Sequence, residues 1–228
     1  KVLREDRVSS VRRTAAWALG NLEADVAARD LSEVMARDAD PRVREMCAWA
    51  LGNIEGQAGV EGLRISARRD SSAGVREMAV WALAEIEDQG SASVLGEVLA
   101  RDTDRRVRGT AAWALGNIEV RTAPAALIAA LGDEDENVRL KSSWALGEIR
   151  DAAAVPALRT ALRKEQVPRI RKAQLRALIE TGGRSESMLS ELLESSDASV
   201  REAAIRGLAG GRASDPWPWP QPRPRPFP

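Results

Sequence analysis

The sequence predicts an all-α chain: a right-handed α-solenoid of about seven stacked helical hairpins, the first a half repeat, followed by an extended proline-rich tail. Two observations carry the solenoid and a third the tail. Trp17, Trp49, Trp81, Trp113 and Trp144 lie 32, 32, 32 and 31 residues apart. The segments around them are copies of one another: VRRTAAWALGNL from Val11, VREMCAWALGNI from Val43, VREMAVWALAEI from Val75, VRGTAAWALGNI from Val107 and VRLKSSWALGEI from Val138, with weaker copies from Ile170 and Val200. A period in the low thirties is the signature of stacked supersecondary units. At the other end, PWPWPQPRPRPFP places proline at every even position from Pro216 to Pro228. Proline fixes φ and removes the amide donor, so that segment is extended, near polyproline II.

Each copy is helical by its periodicity. After Val43, the residues Cys47, Ala50, Leu51 and Ile54 fall on one apolar stripe at a spacing of about 3.6 residues. A polar, acidic turn precedes the copies, as in RDADPRVR, RDTDRRVR and GDEDENVR, and Pro41 suits the first turn of a helix. Upstream lie shorter apolar helices: Val26 to Arg37, Val94 to Arg101, Ala123 to Leu131, Val155 to Leu162 and Met188 to Leu193. The unit is therefore helix A, acidic turn, helix B. Neither helix buries its stripe alone, so neighbours must stack. The chain divides into a solenoid over 1–210, a linker over 211–215 and the tail over 216–228.

The pattern of an acid, V-R five residues on, then A-L-G-x-I resembles the HEAT-like repeats first described in phycobilisome lyases, over residues 1 to about 210. The arginine stands in all seven copies, as Arg12, Arg44, Arg76, Arg108, Arg139, Arg171 and Arg201. The acid stands in six, as Asp6, Asp38, Asp70, Asp102, Asp133 and Glu165. The resemblance implies that these residues form a ladder of ion pairs and caps between repeats. Carboxylates at helix starts and bidentate arginines suit that task.

Composition narrows the function. Lys+Arg and Asp+Glu are both 34, so there is no net charge to draw the chain to nucleic acid or anionic lipid. No run approaches the ~18 apolar residues of a membrane span. Cys47 is the single cysteine and there is no histidine, which removes the commonest general base and any tetrahedral Cys/His metal site. No phosphate-binding loop or nucleophile elbow is present. Gly20, Gly52, Gly116 and Gly147 share one repeat position, where they permit close helix approach. The expectation is a binding protein without catalytic, cofactor or metal site. A chain that begins at Lys1 reads as a processed product or a fragment, and together with the lack of reactive groups suits an extracellular fibre.

The tryptophans and the tail suggest how such a protein binds. Trp lies six residues past each Val, at about 240° on the helix, whereas the apolar stripe centres near about 20°. The five indoles are therefore expected on the inner groove as a binding floor, with a stiffening spine as the competing reading. A proline-rich strand docks on aromatic grooves, and both the tail and a row of five helices span about 40 Å. The expected ligand is Pro216, Trp217, Pro218, Trp219, Pro220, Pro222, Pro224, Pro226, Phe227 and Pro228, laid in the groove of a neighbouring chain. Only KVLREDRVSS precedes Val11, so the stripe Val11, Ala15, Ala18, Leu19 and Leu22 lacks cover; Leu192, Leu193, Ala204 or Leu208 of another chain would supply it. Head-to-tail self-assembly follows as the expected function. The alternatives are an adaptor for a separate proline-rich protein or an accessory subunit of a modifying enzyme.

Overall fold

The computed structural model describes residues 1–54, 56–182, 190, 192–195 and 198–208. The linker, the tail and half of Met188–Leu193 lie outside the described residues, as do the side chains of Arg206 and Leu208. Helices α1 (Val2–Glu5), α3 (Ala28–Arg37), α5 (Val60–Arg69), α7 (Ala92–Arg101), α9 (Ala125–Ala129) and α11 (Val155–Lys164) form layer A. Helices α2 (Ser9–Asn21), α4 (Pro41–Ile54), α6 (Ala73–Glu85), α8 (Arg105–Asn117), α10 (Glu136–Ile149), α12 (Pro168–Thr181) and α13 (Ala198–Leu208) form layer B. Each B helix from α2 to α12 packs on its own A helix, successive B helices pack on one another, and the described residues contain no strand.

The stripes behave as their spacing requires. In α4, Val43, Cys47, Leu51 and Ile54 are 0, 0, 1 and 8% exposed. Burial pushes the Cys47 thiol far above its usual range, which keeps it an inert packing residue. The acidic turns cap helix starts: Asp104 accepts the Arg106 N–H, and Asp135 accepts those of Asn137 and Val138. Past the B stripe the chain turns through a left-handed residue at one repeat position: Glu23, Glu87, Glu119 and Arg150, with φ of 47, 53, 51 and 57°. Glycine is the usual occupant of such a helix end, so this turn carries no sequence signal. Val26, expected to open a helix A, sits instead in the 3₁₀ turn Asp25–Ala27 and is 96% exposed.

The 31-residue step has a local cause. From the last stripe residue of a B helix to the next ladder acid there are 16 residues in Leu22→Asp38, Ile54→Asp70, Ile86→Asp102 and Ile149→Glu165, but 15 in Ile118→Asp133. The last turn of that A helix is tightened to a 3₁₀ turn, Ala130–Gly132. Three 3₁₀ residues rise about 6 Å, as four α residues do, so the missing residue costs no length. Beside it opens a cleft of about 710 Å³ between Ile128, Leu131, Ala157, Ala161 and Val167.

Candidate interaction surfaces

The ladder is the most regular feature. Arg12 donates from Nε and Nη2 to Asp38 at 2.7 and 2.8 Å, and from Nη1 to the Asp6 carbonyl at 2.8 Å. The same three-point pattern joins Arg44 to Asp70, Arg76 to Asp102, Arg108 to Asp133 and Arg139 to Glu165, with fork distances of 2.7–3.3 Å. Each acid also accepts the backbone N–H two residues on, from Asp40 at 2.9 Å for Asp38 through Val167 at 3.0 Å for Glu165. The Arg12 fork holds the Asp38 carboxyl below its ordinary range. These side chains are 5–17% exposed, so each rung is a desolvated bidentate pair rather than a surface contact. Past copy six the pattern changes, because Ser195 stands where the acid would pair with Arg171.

The tryptophans are not a binding floor. Trp49, Trp81 and Trp113 are only 9, 5 and 3% exposed, and Trp17 and Trp144 are half-buried against the core. Trp49, Trp81 and Trp144 wedge into the seams between successive B helices. A Cβ on Gly20 would sit 2.9 Å from Trp49 Cζ3 and 2.8 Å from Ala50 Cα; one on Gly52 would sit 2.9 Å from Trp81 Cζ3; one on Gly116, 2.6 Å from Trp144 Cζ3. The repeated glycine is therefore the notch that admits the next indole. Copy three has Ala84 at this position instead. A neighbouring helix occupies the flank of Trp49, Trp81 and Trp144, so these indoles pack between helices.

What layer B presents beside the indoles, on the side of its helices opposite the core stripe, is a row of half-buried charge. Glu45 of α4 leans over the start of α6, its Oε2 3.2 Å from where a Cβ on Gly74 would lie. Glu77 of α6 accepts the Thr110 hydroxyl of α8 at 3.2 Å. Lys141 of α10 reaches back over α8, with Cδ and Nζ each 3.6 Å from a Cβ position on Gly109. Burial first, and the facing Glu77 second, push the Glu45 carboxyl above its ordinary range, against the pull of Arg106 and Arg13. Burial lowers Lys141 against the pull of Glu77 and Asp135. Glu45 and Glu77 share one repeat position, two residues past Val43 and Val75, but Lys141 stands three past Val138, so spacing alone does not single out the row.

The N-terminal end is a third surface. Val11 is 40% exposed and Leu22 76%, while Ala15, Ala18 and Leu19 are half-buried. The residues equivalent to Val11, from Val43 to Val200, are 0–4% exposed. The chain's own α1 covers the end only in part, through Leu3. At the other end, Leu192 and Ala204 are 6 and 0% exposed, so they pack within their own chain and do not supply the cover expected of them. Leu193 is half-buried, and the outward residue is Ile205, 56% exposed. Among the described residues no helix is long and apolar enough to cross a membrane, and no His, Cys, Asp and Glu side chains gather as metal ligands would.

The family model for HEAT repeats matches the chain at residues 1–84, 30–116, 60–133 and 92–179. No curated protein sequence matches it. Among solved structures, the chain is similar to the complex of CpcE and CpcF of phycocyanin lyase from Nostoc sp. PCC7120, with a TM-score of 0.57 and 21% identity over 94% of this chain and 87% of that one. It is also similar to an engineered protein, with a TM-score of 0.58 and 23% identity over 91% of this chain and 66% of that one. A designed armadillo repeat protein in complex with the peptide (KR)4 matches with a TM-score of 0.50 and 20% identity over 92% and 96% of the two chains. These likenesses are of fold. With the ladder, the paired layers and a family match running from residue 1 to residue 179, the chain belongs to the HEAT-repeat family.

Proposed function

We propose that this chain is a self-assembling interaction protein, whose solenoids join head to tail by extending their own repeat stack, and that it works by binding rather than by catalysis. One observation carries this reading. Of the seven large apolar residues that stand exposed among the described residues, five (Val2, Val8, Val11, Leu22 and Val26) lie on the first copy and the turn that follows it. A contiguous apolar patch on a soluble chain marks an association surface. Unlike ends that meet make a heterologous contact, which closes a ring or extends a filament. The expected docking of the tail in a tryptophan groove is not part of this proposal, because Trp49, Trp81 and Trp113 are buried in the stack and Trp17 and Trp144 are half-buried against the core. Sedimentation velocity and negative-stain imaging of residues 1–228 over a concentration series test it: particles that grow with concentration support it, and single-chain particles throughout overturn it.

A second reading is favoured by the charged row. Glu45, Glu77 and Lys141 are half-buried without forming one closed set of pairs, as a surface reserved for a partner protein would leave them. The armadillo design that resembles this chain holds a peptide, and CpcE is bound to CpcF. In this reading the protein is an adaptor. A chain that stays single yet loses a partner on Glu77→Lys substitution would favour it.

A further inference from the structure

We propose that the layer A face of copies five and six is a docking site for the chain's own proline-rich tail: the cleft between α9 and α11 takes the segment Trp217–Pro218–Trp219. The contact lies within one chain and does not require end-to-end association.

The cleft exists because the A helix of copy five is short. It keeps five α-helical residues and one 3₁₀ turn, where α3, α5, α7 and α11 each have ten. The gap left against α11 is about 710 Å³, within the range of about 300–1,000 Å³ that encloses a small organic ligand. Its walls are apolar, from Ile128 and Leu131 on one side to Ala157 and Ala161 on the other. α9 also differs from its neighbours in charge. Residues 122–132 hold no Asp, Glu, Lys or Arg, whereas α3, α5, α7 and α11 carry Arg29, Glu61, Glu97 and Arg159 among others. Ala125 and Ala129 are what α9 turns to solvent. An uncharged helix beside an apolar cleft is an association surface rather than a solvated face.

The polar groups around the cleft are already engaged. Glu165 takes the Arg139 fork and the N–H groups of Gln166 and Val167 at 3.1 and 3.0 Å. Asp133 takes the Arg108 fork and the N–H of Asp135. Thr160 donates its hydroxyl to the Pro156 carbonyl at 2.9 Å, and Gln166 donates its amide to the Lys164 carbonyl at 3.2 Å. A ligand must therefore bring apolar area and few N–H groups, because a buried donor left unpaired costs free energy. The tail has that chemistry. Proline, which has no amide N–H, alternates from Pro216 onward, and Trp217 and Trp219 supply large apolar rings. Every aromatic residue outside the described ones lies in this tail. The exposed Lys164 stands on the cleft's rim, where its ammonium suits the face of an indole.

The tail is long enough. α13 packs on α12 and α12 on α11, so about two helix spacings, roughly 20 Å, separate α13 from the cleft wall. α11 and α12 form a hairpin and α13 follows α12 in layer B, so α13 ends on the side of the stack where α11 begins, at Pro156. From Leu208 to Trp217 an extended chain covers up to about 30 Å.

The test labels the full 228-residue chain with 5-fluorotryptophan, giving seven fluorine resonances, of which Trp217→Phe and Trp219→Phe assign the two from the tail. At low chain concentration at least one tail resonance is expected away from the free-tryptophan position. Ala157→Arg puts a charge on the cleft wall and should return it there, while the five layer B resonances hold their places. Thr160→Arg, exposed on the same wall, is the second block and decides the result where Ala157→Arg disturbs layer B. Tail resonances at the free position in the wild-type chain overturn the docking. So does a displaced resonance that the blocks do not move, because the indoles then rest elsewhere. A displacement that appears only as chain concentration rises puts the tail in another chain's cleft and overturns docking within one chain.

Discussion

Gly52→Ala probes the joint between copies two and three at its tightest point. The new Cβ would lie 2.9 Å from Trp81 Cζ3 and 3.0 Å from both Cα and Cβ of Ala82. The indole is wedged and Ala82 Cα is backbone, so neither yields without moving α6. Overpacking of this kind costs about 1–3 kcal/mol. Alanine returns part of that, because it favours the helix over glycine by about 1 kcal/mol. With a backbone atom among those met, the cost falls in the upper half of that range, about 2–3 kcal/mol, and the net expectation is a loss of about 1–2 kcal/mol. Two other glycines calibrate it. A Cβ on Gly147 would meet Ala177 Cα at 3.2 Å, so Gly147→Ala should cost less, while one on Gly132 would meet nothing within 4 Å, so Gly132→Ala should be close to neutral. Urea unfolding followed by circular dichroism and tryptophan fluorescence reads the series, with the slope checked for constancy. A Gly52→Ala chain as stable as wild type, or a Gly132→Ala chain that loses as much, would refute the notch as the reason for glycine.

Other outcomes follow from the same geometry. Trp81→Ala should destabilise by about 3–5 kcal/mol, the cost of emptying a large buried site, in guanidinium unfolding; a loss under about 1 kcal/mol would return the indole to a surface role. Because the folded pKa of Asp38 lies below its ordinary 3.8, its contribution is present above that value and is lost as pH falls through the folded one. The stability gap between wild type and Asp38→Asn should therefore be flat near neutral pH and close under acid, and a gap that widens in acid contradicts the pairing with Arg12. Glu45 is the opposite case, its folded pKa raised by burial and by Glu77, so its charge opposes folding at neutral pH. Glu45→Gln should raise stability at pH 7 by ~0.5 kcal/mol, the scale of a like-charge neighbour, with the advantage shrinking as acid protonates the wild-type carboxyl.

The sequence by itself determined the all-helical class, the hairpin unit, the count of copies and the ladder partners. These are properties of period and residue type: stripes recur at helical spacing, and the 26-residue offset of Arg12 and Asp38 recurs in every internal rung but Arg108–Asp133, where it is 25. Even the notch was half legible, since Gly20, Gly52, Gly116 and Gly147 share a position that called for close approach. Only the tertiary structure decided the fate of the tryptophans. A helical wheel gives an angle for Trp81 relative to the core stripe, but it carries no information on which flank the neighbouring helix occupies. The glycine of α4 lets that helix in, and the indole is buried. The same limit governs the ends, where the sequence marked the uncovered stripe of α2 but misassigned its partners. Leu192 and Ala204 are apolar and near the C-terminus, yet apolarity does not say whether a residue faces the copy before it or a copy to come; packing turned those two inward and left Ile205 outward. The charged row of Glu45, Glu77 and Lys141 came from structure alone: the two glutamates share a repeat position, but Lys141 stands one position further along its copy and joins them only after the seams have closed.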